Sequence, residues 1–129
     1  MKKQLLFLSL LFSMFVFTQQ SFAGSDEASG PIKTMATILH YVNHYPADTE
    51  KDKLHKIIGG KKSTAQEKTL ATAMLNLQHS ASESDKRNLS AIMSDASASK
   101  PAKTLAKIIR DFSHKPSSSD KKMLQKLMW

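Results

Sequence analysis

The chain contains no cysteine. That removes disulfides, a lipid-bearing cysteine and a covalently attached c-type haem, so the fold must hold together by packing. Glycine and proline are scarce, four of each in 129 residues, which leaves few obligatory breaks in the chain. Arginine is limited to Arg87 and Arg110 among 19 basic residues. Arginine's planar fork reads phosphates and bases bidentately whereas lysine is a hydrated point charge, and this balance argues against nucleic acid as a partner. No Gly-x-Ser-x-Gly turn, cofactor fingerprint or complete metal-ligand motif occurs. The residues therefore point to a non-enzymatic protein, and no cofactor is assigned.

The longest apolar-rich run, residues 5–17, covers 13 positions, short of the roughly 20 needed to span a bilayer. Lys2 and Lys3 precede it and Ser21-Phe22-Ala23 follows it. This is the order of a signal peptide, with small side chains at the positions a signal peptidase inspects. Residues 1–23 are expected to be removed, 24–30 to form a flexible mature terminus, and 31–129 to form the folded domain of a periplasmic or secreted protein with no stable membrane insertion. Without Lys2 and Lys3, 17 basic residues face 11 acidic ones, a charge of about +6. Such an excess suits a solvated surface or attraction to an anionic envelope component or a protein partner.

What the sequence does contain is a repeat. Aligned at a spacing of 35, three blocks starting at Thr34, Thr69 and Thr104 share five identical columns: Thr34/Thr69/Thr104, Ala36/Ala71/Ala106, His44/His79/His114, Lys51/Lys86/Lys121 and Leu54/Leu89/Leu124. By chance, about a tenth of one column would be identical in all three. Apolar residues at Met35, Ile38, Leu39 and Val42 follow the zero, three, four, seven spacing of a buried helical stripe. The series Leu70, Ala73, Met74, Leu77 and Leu105, Ile108, Ile109, Phe112 repeat it. A second helix is expected after each, with hydroxyl N-caps at Thr49, Ser84 and Ser119 and an apolar edge at Leu54, Leu89 and Leu124. Thr64 with Glu67 has the form of a capping box, and Ser99 ahead of Pro101 can cap the fifth helix.

The expected fold is all-α: three tandem 35-residue hairpins, about six helices, with repeats near 31–63, 64–98 and 99–129. One hairpin cannot bury both of its helices, so the copies must stack, as a short solenoid or a compact bundle. The period is close to that of tetratricopeptide repeats, but their Trp, Gly, Tyr and Ala pattern is missing, so the likeness is one of architecture.

Two sets of histidines draw attention. Equivalent residues of stacked hairpins lie roughly 8–10 Å apart, too far for His44, His79 and His114 to share one ion unless the hairpins close tightly. Each is instead expected near the end of a first helix, capping orphan carbonyls, with ligand contact or pH sensing as alternatives. His40 and His44 stand four apart, a helical spacing that can hold a divalent metal, with Tyr41, Tyr45 and His55 nearby. Met128-Trp129 is expected to seal the open edge of the last hairpin. The functional expectation is an exported binding or interaction protein, with a small metal or haem carrier using His40 and His44 as the alternative.

Overall fold

The computed structural model describes residues 27–129. The expected signal peptide, residues 1–23, lies outside the described residues. Within them six helices follow one another: α1 (Gly30–Tyr41), α2 (Asp48–Ile58), α3 (Ala65–Leu75), α4 (Glu83–Ser94), α5 (Lys100–Arg110) and α6 (Ser118–Met128). The only β features among the described residues are isolated bridges in the turns. None of these helices is long and apolar enough to cross a membrane.

The first helix of each hairpin starts at a hydroxyl cap. Ser29, Thr64 and Ser99 accept hydrogen bonds from the amides of Ile32, Glu67 and Ala102, each satisfying a donor the helix itself cannot pair. The caps of the second helices fall two residues earlier than expected, at Ala47, Ser82 and Ser117. Thr49, Ser84 and Ser119 lie inside the first turn. The reason is reach: a cap hydroxyl bonds the amide three residues on, so Ser82 serves Asp85 and Ser117 serves Asp120, each at 3.1 Å. Ala47 has no side-chain oxygen, and only the reciprocal bond exists there, from its own amide to the Glu50 carboxylate at 2.7 Å.

The stripes of α1, α3 and α5 are buried as the spacing requires, with Met35, Leu39, Leu70, Met74, Leu105 and Ile109 wholly enclosed. These three helices touch one another about a common axis, and the identical alanines Ala36, Ala71 and Ala106 are fully buried on them. The second helices form an outer layer, each inserting one fully buried leucine, Leu54, Leu89 or Leu124. Burying a leucine contributes about 1.5–3 kcal/mol, so this column fastens each outer helix to the core.

Helix α2 packs on α3, α4 on α5, and α6 back on α1. The three hairpins therefore form a closed ring with pseudo-threefold symmetry, the compact one of the two arrangements the repeat allows. Closure leaves no open edge for the carboxy terminus to cover, and Trp129 is 89% exposed instead of sealing the last hairpin.

Candidate metal centre

Helices α1, α3 and α5 run in the same direction. Their amino-terminal caps Ser29, Thr64 and Ser99 line one shared recess at one end of the axis. At the other end, each chain leaves its helix through a turn held by buried residues two before and two after the histidine: Val42 and Pro46, Leu77 and Ala81, Phe112 and Pro116. With both neighbours anchored inward, His44, His79 and His114 occupy the apex.

All three adopt the left-handed backbone region, with φ of 71°, 69° and 63°, and among the described residues they are the non-glycine residues with positive φ. In two copies the flanking residues close a tight turn over the histidine, Tyr45 N–H to Asn43 carbonyl at 2.9 Å and Lys115 N–H to Ser113 carbonyl at 2.7 Å. A γ-turn of this hand is rare and strained. The strain is offset by a cyclic set of bonds between hairpins. His44 N–H donates to the His114 carbonyl (2.6 Å), His79 N–H to the His44 carbonyl (2.9 Å) and His114 N–H to the His79 carbonyl (2.6 Å). Each histidine N–H at the apex is thereby satisfied by a neighbouring copy.

This ring brings the imidazoles together. The Nδ1 atoms are 3.1, 3.2 and 3.3 Å apart, and the rings stand edge to face, 66–80° from parallel. Such a triangle cannot satisfy itself in the neutral state. Each Nδ1 is either a donor or an acceptor, so among three of them at least one pair must be alike, two lone pairs or two N–H groups facing each other. A cation that accepts all three lone pairs removes the conflict.

The dimensions fit one. For an equilateral triangle with 3.2 Å sides, an ion with Zn–N bonds of about 2.05 Å lies about 0.9 Å above the plane of the nitrogens, with N–Zn–N angles of about 103°. That is close to tetrahedral, and the fourth position faces away from the triangle. A square-planar ion needs one long nitrogen pair across its centre, which three nearly equal separations do not offer. Two of the three histidines are exposed and one half-buried, so the face is open to solvent.

Electrostatics favour the same occupancy. The carboxyl ends of α1, α3 and α5 all point toward the apex, and helix carboxyl ends attract cations. The His44 imidazole titrates below its ordinary value of 6.5, through desolvation first and then the charges of His79 and His114. Neutral imidazole is the form that binds metal.

The structure thus unites the three repeat-equivalent histidines, and among the described residues this is the group whose ligand atoms converge. Helix α1 ends at Tyr41, so His44 lies beyond the helix and the four-residue helical spacing to His40 does not apply. His40 is outside the converging group; both its ring nitrogens are buried without hydrogen-bond partners, and its ring packs against Tyr41 at 4.6 Å. The histidines do not serve as helix caps either. The residues closing the helices are Val42, Asn76 and Asp111. Tyr41 and Tyr45 are exposed, and Tyr45 joins Lys51, Leu75, Leu77, Gln78 and His79 around a surface groove.

No protein family, curated protein or solved structure matches this chain.

Proposed function

We propose that this chain is an exported, non-enzymatic metal-binding protein that holds one zinc-type divalent ion on the Nδ1 atoms of His44, His79 and His114. The observation that carries this is the triangle of ring nitrogens, too close for three imidazoles to satisfy one another and correctly spaced for a tetrahedral ion. The left-handed backbone at the same three positions supports it, since strain kept at matching residues is a mark of function. Each repeat supplies one ligand, so neither a single hairpin nor an open stack would complete the set. An address in the periplasm or outside the cell rests on the features of residues 1–23.

Titration of the metal-free protein with zinc, followed by calorimetry and native mass spectrometry, tests this directly. One ion per chain is expected, lost in His79→Ala and retained in His40→Ala. Zinc uptake that needs His40, or that survives loss of His79, refutes the assignment. A second reading, interaction with an anionic envelope component, is favoured by the basic excess of the mature chain. It predicts retention on anionic vesicles at low salt, independent of the histidines.

A further inference from the structure

Three histidines leave a tetrahedral ion one ligand short, and the surface beside them is not featureless. A groove of about 390 Å³ runs from His79 along Tyr45, Lys51, Leu75, Leu77 and Gln78, a size within the range of small-molecule sites. It lies at the junction of the first and second repeats, where α2 meets α3. Its residues divide by chemistry. Lys51 supplies a cation and Gln78 an amide, while Tyr45 and Leu75 give a flat apolar wall with the Tyr45 ring 58% exposed. Lys51 is only loosely engaged, 3.8 Å from the fully exposed Asp48 and 5.9 Å above the Tyr45 ring.

The repeat keeps Lys51 in every copy, as one of two invariant lysine columns, the other being Lys33/Lys68/Lys103 on the inner helices. Of the six columns identical in all three copies, the alanine and leucine columns are buried core. The threonines Thr69 and Thr104 bond back to their own helices, and the histidines form the triangle. In two copies the column Lys51/Lys86/Lys121 pairs with an acid of its own first turn, Lys51 with Asp48 and Lys86 with Glu83. It places a cation in the first turn of each outer helix, and in the first copy that cation lines the groove together with His79. Tyr45, by contrast, has Ser80 and Lys115 as its counterparts, so the groove next to His79 differs from its two relatives.

We infer that the groove beside His79 binds a small carboxylate with a flat apolar body, one carboxylate oxygen taking the metal's fourth position, Lys51 balancing the charge and Tyr45 with Leu75 holding the body. This rests on the three-histidine metal site. A carboxylate is a good oxygen ligand for such an ion, and its charge matches a divalent cation on three neutral ligands with a lysine alongside. The resting protein would hold water at that position, which the carboxylate displaces without any covalent change in the protein.

Cobalt(II) makes the test visible, since its absorption bands report the fourth ligand. The full-length mature protein is loaded with Co(II) and titrated with benzoate, and separately with acetate. Benzoate is expected to shift the bands saturably, at least tenfold more tightly than acetate. Lys51→Gln, at a half-buried position, and Tyr45→Ala, at an exposed one, are expected to weaken benzoate about tenfold while Co(II) uptake stays unchanged. Intact Co(II) uptake with no response to benzoate, or with equal responses in Lys51→Gln and the parent, overturns the ligand assignment and leaves the metal site standing. Failure to take up Co(II) at all overturns both.

Discussion

Replacing His79 by glycine and by alanine separates what the backbone of the apex needs from what its side chain does. At φ 69° an L-residue pays about 1–2 kcal/mol relative to the right-handed region. Glycine does not, although its extra freedom in the unfolded chain costs about 0.4–1 kcal/mol. The His79 side chain is exposed, so its removal leaves no cavity, while the backbone bonds to His44 and His114 survive either change. In metal-free protein His79→Gly should therefore be about 1 kcal/mol more stable than His79→Ala and within about 1 kcal/mol of the parent. For a domain of this size that is a Tm difference of about 4–8 °C between the two variants.

Zinc supplies the second axis of the experiment. An ion that binds only the folded chain adds about 2.7 kcal/mol at one hundred times its Kd. The parent should gain that increment, and both variants should lose it. Thermal denaturation by circular dichroism with and without zinc gives all six values. If His79→Ala equals or exceeds His79→Gly in metal-free protein, the apex is not strained and its backbone says nothing of function. If zinc stabilises the glycine variant as much as the parent, the third ligand is not His79.

Leu89→Ala removes the fully buried side chain by which α4 is fastened, and urea denaturation should show a loss of about 2–5 kcal/mol; a loss under 1 kcal/mol would mean that the outer helices are not held this way. Glu67→Ala removes the carboxylate that accepts from Thr64 N–H and the Ser29 hydroxyl, with an expected cost of about 1–3 kcal/mol in the same assay, and a neutral outcome would refute its bridging role. For pH, His44 is held below 6.5 in the folded state, so the unfolded chain binds more protons in the window just below that value. Metal-free stability should thus rise with pH through that window and fall on acidification, and zinc should be released in the same direction. A urea midpoint flat from about pH 5 to 7 would contradict the crowding of the three imidazoles.

The helices were legible because their signals are local. Stripe spacing, the caps Thr64 and Ser99, and the leucine column each concern residues within one or two turns of one another. The second caps were misplaced because hydroxyls stand both at Ser82 and Ser84, and at Ser117 and Ser119, and only the reach to the amide three residues on separates them. The candidate metal centre was visible only in part. Its residues stood out as an identical column, but the separation assumed for them was that of hairpins stacked in line, whereas closing the ring turns equivalent residues toward one axis. Whether α6 returns to α1 depends on contacts between residues about 90 positions apart, which no local pattern encodes. The left-handed turn was hidden for a related reason, since nothing in Asn43-His44-Tyr45 requires positive φ until Val42 and Pro46 are both anchored inward.

The two ends of the axis obey one electrostatic rule, and it explains why one column is repeated and another is not. Three parallel inner helices gather their amino ends at the recess of Ser29, Thr64 and Ser99 and their carboxyl ends toward the histidines, so the first end favours an anion and the second a cation. At the carboxyl end the proposed ligands are uncharged when they bind, and three of them on one cation would be mutually supportive, which suits a histidine in every copy. At the amino end the charge comes from the protein itself. Three buried carboxylates around one point would repel one another strongly in a medium of low polarity, and the column holds a single acid, Glu67, with Ile32 and Ala102 in the other two copies, all three positions buried. That one carboxylate reaches across to the Ser29 hydroxyl of the first hairpin while bonding the Thr64 amide of the second. A charge that can be shared about a threefold axis is assembled from three equal parts, while one that cannot is carried by one copy and the symmetry is broken there.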